Sequence, residues 1–141
     1  MSRSDRQFSG RGVAAVASLM LMAGATDVVA ADAAVEQSGK DRYLQYCAVC
    51  HGAGATGDGP FANLMTTRPA DLTQLAAKAG GDFPFGKVYD TIDGRNMLTA
   101  HGSTDMPIWG RELKDDGLGG ETALRGRLVE TIVYLRSIQA K

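Results

Sequence analysis

Two thiols and an imidazole stand together at Cys47, Cys50 and His51, in the run Cys-Ala-Val-Cys-His. On a helix, positions i, i+3 and i+4 share one face, so all three side chains can address the same flat ligand. Two thiols at that spacing can add to the two vinyl groups of a haem as thioethers, while the imidazole becomes an axial ligand to its iron; Cys-x-x-Cys-His is the attachment signature for that chemistry. Three other chemistries compete for the same residues. A dithiol redox motif needs an alternating strand–helix pattern around it, and none is visible. A structural zinc site needs four ligands, and beyond these three only the distant His101 is available. A disulfide within the motif would leave His51 without a role.

An iron held by His51 needs a second axial ligand or an open position. The candidates are Met65, Met97, Met106 and His101. Met106 is favoured, because Pro107 stiffens the loop that must hold a thioether against iron. It also lies 55 residues after His51, enough chain to wrap a macrocycle. A thioether or second imidazole would close the iron for electron transfer, whereas an open site would admit oxygen or peroxide. The carbonyl of Pro60 could accept a hydrogen bond from the His51 ring N–H and raise its basicity, or Pro60 could be an ordinary loop proline. Arg68 could pair with a haem propionate or remain a solvated surface cation. Trp109 could donate its indole N–H to a propionate or simply shield the pocket.

The elements that must position these groups read as helices. One starts at Ser38, with Asp41 as a loose capping partner, and runs into the motif behind a small, polar stretch 31–37 expected to fray. Gly39 and Tyr43 share a face of it, and a glycine there permits close approach of another helix. Residues 52–60 (GAGATGDGP) hold four glycines in nine positions, which suits a tight loop and not a helix; the loop lacks the Gly-Lys-Ser/Thr ending of a phosphate loop. Asp71 caps a helix from Leu72 to about Lys78, stopped at Gly80-Gly81. Phe85, Val88, Tyr89 and Ile92 form an i, i+3, i+4, i+7 stripe ending at Gly94. Residues 96–110 have no periodicity. A last helix, about Glu121 to Ala140, carries Leu124, Leu128, Ile132 and Leu135 on one face. No long strand run is present, so the fold class is all-α, short helices wrapped on one haem.

The 141-residue chain has a one-domain length. Arg3, Arg6 and Arg11 precede an apolar run of 13 residues, Val13 to Ala25, followed by small residues: a secretory leader. Cleavage after Ala30 fits, leaving a domain of residues 31–141, and cleavage after Ala33 fits as well. The run is short of the ~20 residues that span a bilayer, so no stable membrane insertion is expected. Removing residues 1–30 takes away three Arg and two Asp and leaves 12 basic and 14 acidic side chains, formally −2. That balance excludes nucleic acid and anionic membrane as partners. Both cysteines are in the motif, so export to an oxidising compartment leaves no thiol for a disulfide. In a bacterium the mature chain is then periplasmic.

With these motifs on the page, the chain resembles class I c-type cytochromes, the small mono-haem family, from about Gly39 to Ile138. The carrying residues are CAVCH at 47–51, Gly59-Pro60, Met106-Pro107 and the terminal VYLRSI at 133–138. The resemblance implies one covalent haem c, His51/Met106 iron, the Pro60 carbonyl on His51, and a crossing of the first and last helices at Gly39, Tyr43 and Tyr134. It implies an electron-transfer protein and not a catalyst, a monomer serving redox partners such as a dehydrogenase or an oxidase. The phrases GxxGDGP, RPADL and MPxWG are similar to bacterial cytochromes that serve such enzymes. Two other readings stand beside the carrier: a haem subunit docked in an oxidoreductase complex, and a ligand-binding or peroxidase-like protein with His101 as distal acid–base.

Overall fold

A computed structural model describes residues 14–95, 106–113 and 119–140, with side chains from residue 29 onward. The chain divides into a first unit ending at Ala33 and a second, Ala34–Lys141, that holds the helix crossing and the candidate site. The elements are α1 (Ala14–Tyr46), α2 (Ala48–His51), two 3₁₀ turns (Ala62–Leu64 and Leu72–Gln74), α3 (Leu75–Lys78), α4 (Phe85–Asp93), α5 (Trp109–Glu112) and α6 (Gly120–Ser137). All described secondary structure is helical, as the sequence predicts. Among the described residues no helix is long and apolar enough to cross a membrane.

Helix α1 departs from expectation at its start. Residues 31–37, expected to fray, are helical. Their alanines are strong helix formers with no glycine or proline to interrupt them, and Gln37 Nε2 donates to Asp41 Oδ1 one turn on, at 2.8 Å. Ser38, expected to cap a new helix, sits inside this one and donates to Glu130 Oε2 of α6 at 3.0 Å.

That bond belongs to the crossing that organises the core. Gly39 is buried, and a Cβ added to it would collide with the Glu130 carbonyl on α6, so the two helices touch backbone to backbone. One turn later Tyr43, fully buried, sets its ring 5.4 Å from that of Tyr134. Arg42 closes the seam with an ion pair to Glu130 at 2.6 Å. The expected crossing at Gly39, Tyr43 and Tyr134 is therefore what the fold contains. Helix α6 buries Leu124, Leu128, Ile132 and Leu135 on one face, and α4 adds Val88 and Ile92 from its stripe before stopping at left-handed Gly94. Each such aliphatic side chain contributes about 1.5–3 kcal/mol by leaving water.

Candidate haem site

The motif begins where α1 ends. Cys47 N donates to Tyr43 O (2.9 Å), and His51 N donates to Cys47 O (2.9 Å), so the two thiols and the imidazole ride on one further helical turn. Tyr43 secures the far end of that turn, donating from its hydroxyl to the Gly52 carbonyl at 2.6 Å. Burial, with the charges of Cys47 and Tyr134 next, raises the pKa of this phenol well above its ordinary value. The glycine-rich loop then folds back on the turn: Gly57 N donates to His51 O, Gly59 N to Cys50 O and Phe61 N to Val49 O.

His51 Nδ1 lies 3.0 Å from the carbonyl oxygen of Ala70. A carbonyl can only accept, so Nδ1 carries the proton and Nε2 is left with its lone pair for a metal. This corrects the expectation for Pro60. Pro60 is exposed, and the residue after it is tied back to the motif by the Phe61 N bond to Val49 O. The Arg68–Asp71 segment is instead drawn across His51, because Leu72 N donates to Ala55 O at 2.8 Å and Asp71 caps the next turn by accepting from Thr73 N at 2.9 Å.

Two apolar cavities, of about 340 and 550 Å³, share the walls Cys47, His51, Ala70 and Met106. Both lie in the size range of ligand pockets, ~300–1,000 Å³. The smaller is closed by Leu72, Leu75, Val88, Ile92 and Leu135 of the core. Cys50, Met65, Arg68 and Trp109 line the larger one. Of the sequence candidates the structure thus gathers Cys47, Cys50, His51, Met106, Arg68 and Trp109 on one crevice, leaving Pro60 outside it. Met65 reaches only the larger cavity, while Met106 reaches both. Met97 and His101 lie outside the described residues.

The wall chemistry fits a haem. The lining is mostly apolar; its neutral polar side chains are two thiols, an imidazole, thioethers, the hydroxyls of Tyr43, Tyr46, Thr67 and Thr91 and the Trp109 indole, and its charged side chains are cations, Lys78 and Lys87 on one cavity and Arg68 on the other. An apolar macrocycle with anionic propionates and an iron centre needs that combination. Burial, with the nearby charge of Cys50 second, pushes the Cys47 thiol up to about 12, so it remains a thiol at neutral pH. Arg68 also donates through Nε to the Gly57 carbonyl at 3.3 Å. Trp109 packs on Tyr46, ring centroids 5.6 Å apart, and so shields the larger cavity beside Cys47.

Sequence reasoning missed how the Met106 strap is held. Gly110 on α5 lies so close to Asp93 and Arg95 that a Cβ would overlap the Asp93 carbonyl oxygen, at 2.6 Å. Asp93 is buried, and Arg95 Nε bonds its Oδ1 at 2.6 Å. The same guanidinium grips Glu121 of α6 in a fork, with both N···O distances 2.8 Å. Bonding to Arg95 first, and to Arg125 second, lowers the Glu121 pKa to about 2. The ion-pair chain fixes α4, α5 and α6 together, and α5 begins three residues after Met106. Alternating Asp93, Arg95 and a distant Glu121 give no local periodic signal.

A family model described as cytochrome c oxidase, cbb3-type, subunit III matches residues 34–120. No curated protein and no solved structure gives a match. The family match takes in more than half of the chain, including the Cys-x-x-Cys-His turn, the Ala70 carbonyl and Met106. Family, helical fold and crevice chemistry agree, and the protein belongs to the c-type cytochromes of the cbb3-type subunit III family, which transfer electrons through haem iron.

Proposed function

We propose that the chain, freed of residues 1–30, is a periplasmic mono-haem cytochrome that passes single electrons between redox proteins. Cys47 and Cys50 would hold the haem through two thioethers, and His51 Nε2 and Met106 Sδ would ligate its iron. The bound group supplies a one-electron ferrous/ferric couple. The protein's residues do the rest. Ala70 accepts the Nδ1 proton and fixes the imidazole's orientation and basicity. Leu72, Leu75, Val88 and Ile92 exclude water, and Arg68 and Trp109 close the side on which propionates can be met. The observation that carries this reading is that His51 and Met106 line both lobes of one apolar crevice together with Cys47.

The match to a subunit III family favours a second reading, in which the same domain works as the haem c subunit of a terminal oxidase complex. Both readings require one haem per chain. Protein made with haem c maturation and separated from its leader should contain one iron per chain, retain haem after acid denaturation, and take up one electron in an anaerobic reductive titration. Haem that extracts freely, or uptake of more than one electron, would refute the assignment. Co-purification with an oxidase from the native membrane separates the subunit from the free carrier.

A further inference from the structure

Beyond the end of α6 the chain turns back on the segment that follows Ala70. Gln139 Oε1 accepts from Ala76 N at 2.9 Å, and its Nε2 donates to Leu72 O at 2.8 Å and to Leu135 O at 2.6 Å. Two carbonyls against the nitrogen and one N–H against the oxygen fix the amide's orientation, since a flip would set like against like at all three partners. The next residue repeats the grip: Ala140 N donates to Thr73 O at 2.9 Å. Residues 72–76 are thus clamped to the end of α6.

We propose that Gln139 is a positioning residue for His51, acting through the clamped segment Leu72–Ala76 to aim the Ala70 carbonyl at Nδ1. The link is short. Leu72 N is tied to Ala55 O, and Asp71 Oδ1 accepts from both Thr73 N and Thr73 Oγ1, at 2.9 and 2.6 Å. With Asp71, Leu72 and Thr73 fixed on one side, the direction of the Ala70 carbonyl is set by the backbone immediately preceding them. His51 Nδ1 meets that oxygen at 3.0 Å. A well-aimed acceptor makes the imidazole a stronger donor to iron and favours the ferric state; a loosened one weakens that preference. The inference rests on His51 as the axial ligand of a bound haem.

The test compares the full mature holoprotein with Gln139→Leu, Gln139→Glu and Ser38→Ala. Two readouts report on His51: solvent exchange of its Nδ1 proton by NMR in the ferrous state, and the ferrous-to-ferric ratio at a fixed electrode potential. Gln139→Leu should speed exchange by about tenfold, the factor given by about 1.4 kcal/mol less closure of the Nδ1–Ala70 bond, within what one hydrogen bond contributes. It should raise the ratio by about threefold, near 30 mV for a one-electron couple. Gln139→Glu keeps the acceptor for Ala76 N but loses the donor to Leu72 O, and should fall between Gln139→Leu and the parent at neutral pH. Ser38→Ala cuts a bond from α1 to Glu130 of α6, away from the clamp, and should lower thermal stability with both His51 readouts unchanged. Parent-like exchange and ratio in a folded Gln139→Leu protein would overturn the proposal. If that variant does not fold, parent-like values in Gln139→Glu overturn it instead. A parent protein without covalent haem or His51 ligation would refute the proposed function itself, before any variant is made.

Discussion

Replacing Gly39 with alanine tests the helix crossing on which the crevice is built. In a solvent-facing helix the change would stabilise by about 1 kcal/mol, because alanine is the better helix former. Here the sign reverses. The new Cβ would stand 2.6 Å from the Glu130 carbonyl carbon and 3.1 Å from Thr131 N, where ordinary contact begins at 3.4 Å. The helices must then retreat by about 1 Å, and overpacking of this kind costs about 1–3 kcal/mol. A gap of that size also forfeits up to about half of each dispersion contact along the seam. The Tyr43–Tyr134 pair alone is worth about 0.5–1.5 kcal/mol beyond its burial. A net loss of about 3 kcal/mol is expected, which lowers Tm by about 12 °C at about 4 °C per kcal/mol for a domain this size. Gly126→Ala on α6 is the matched control, since a Cβ there meets nothing within 4 Å. It should raise Tm by about 4 °C from helix propensity alone. Thermal unfolding of the two holoproteins by circular dichroism reads both. A Gly39→Ala protein within 2 °C of the parent, on the scale of about 4 °C per kcal/mol, would refute the close crossing.

Other outcomes follow from the same contacts. Tyr43→Phe removes the donor to the buried Gly52 carbonyl and should cost about 1–3 kcal/mol in chemical denaturation. Because the folded pKa of Tyr43 is raised above its ordinary 10.0, its contribution is complete below pH 10 and is lost as pH rises beyond it. Stability of Tyr43→Phe should therefore fall less steeply than the parent's above pH 10; equal slopes would contradict that. Arg95→Leu strands the buried Asp93 carboxylate and should destabilise by roughly 3 kcal/mol. It should also weaken the iron–Met106 signature before global unfolding; if unfolding and signature are lost together at every denaturant concentration, the ion-pair chain does not hold the strap. Glu121, lowered from its ordinary 4.5 to about 2, contributes stability that is full above pH 4.5 and lost as pH falls towards 2. Glu121→Gln should flatten the stability profile in that window.

The Cys-x-x-Cys-His motif, the α4 stripe and the Asp71 cap were legible because each is written in residue type and spacing, whereas the Gly39–Tyr43–Tyr134 crossing was implied by the family resemblance. The acceptor for His51 was not. A backbone carbonyl carries no side-chain signal, so Pro60 stood out by its residue type while Ala70, set by Leu72 N on Ala55 O and the Asp71 cap, did the bonding. The Arg95–Glu121 fork and the Gln139 clamp join residues 26 and 63–67 positions apart, beyond any periodic pattern. The start of α1 was missed for a different reason. Small residues at 31–37 were read by their polarity, whereas their helix propensity governs the backbone.

The proposed redox centre is a closed iron between His51 and Met106. Optical spectra of the leader-free holoprotein, ferric and ferrous, with and without carbon monoxide, test it most directly. Low-spin iron, a ferric methionine–iron charge-transfer band and indifference to carbon monoxide are expected. That band should disappear in Met106→Ala and survive in Met65→Ala and Met97→Ala. High-spin ferric iron, ready carbon monoxide binding by the parent, or a band that survives Met106→Ala would rule out the His51/Met106 iron.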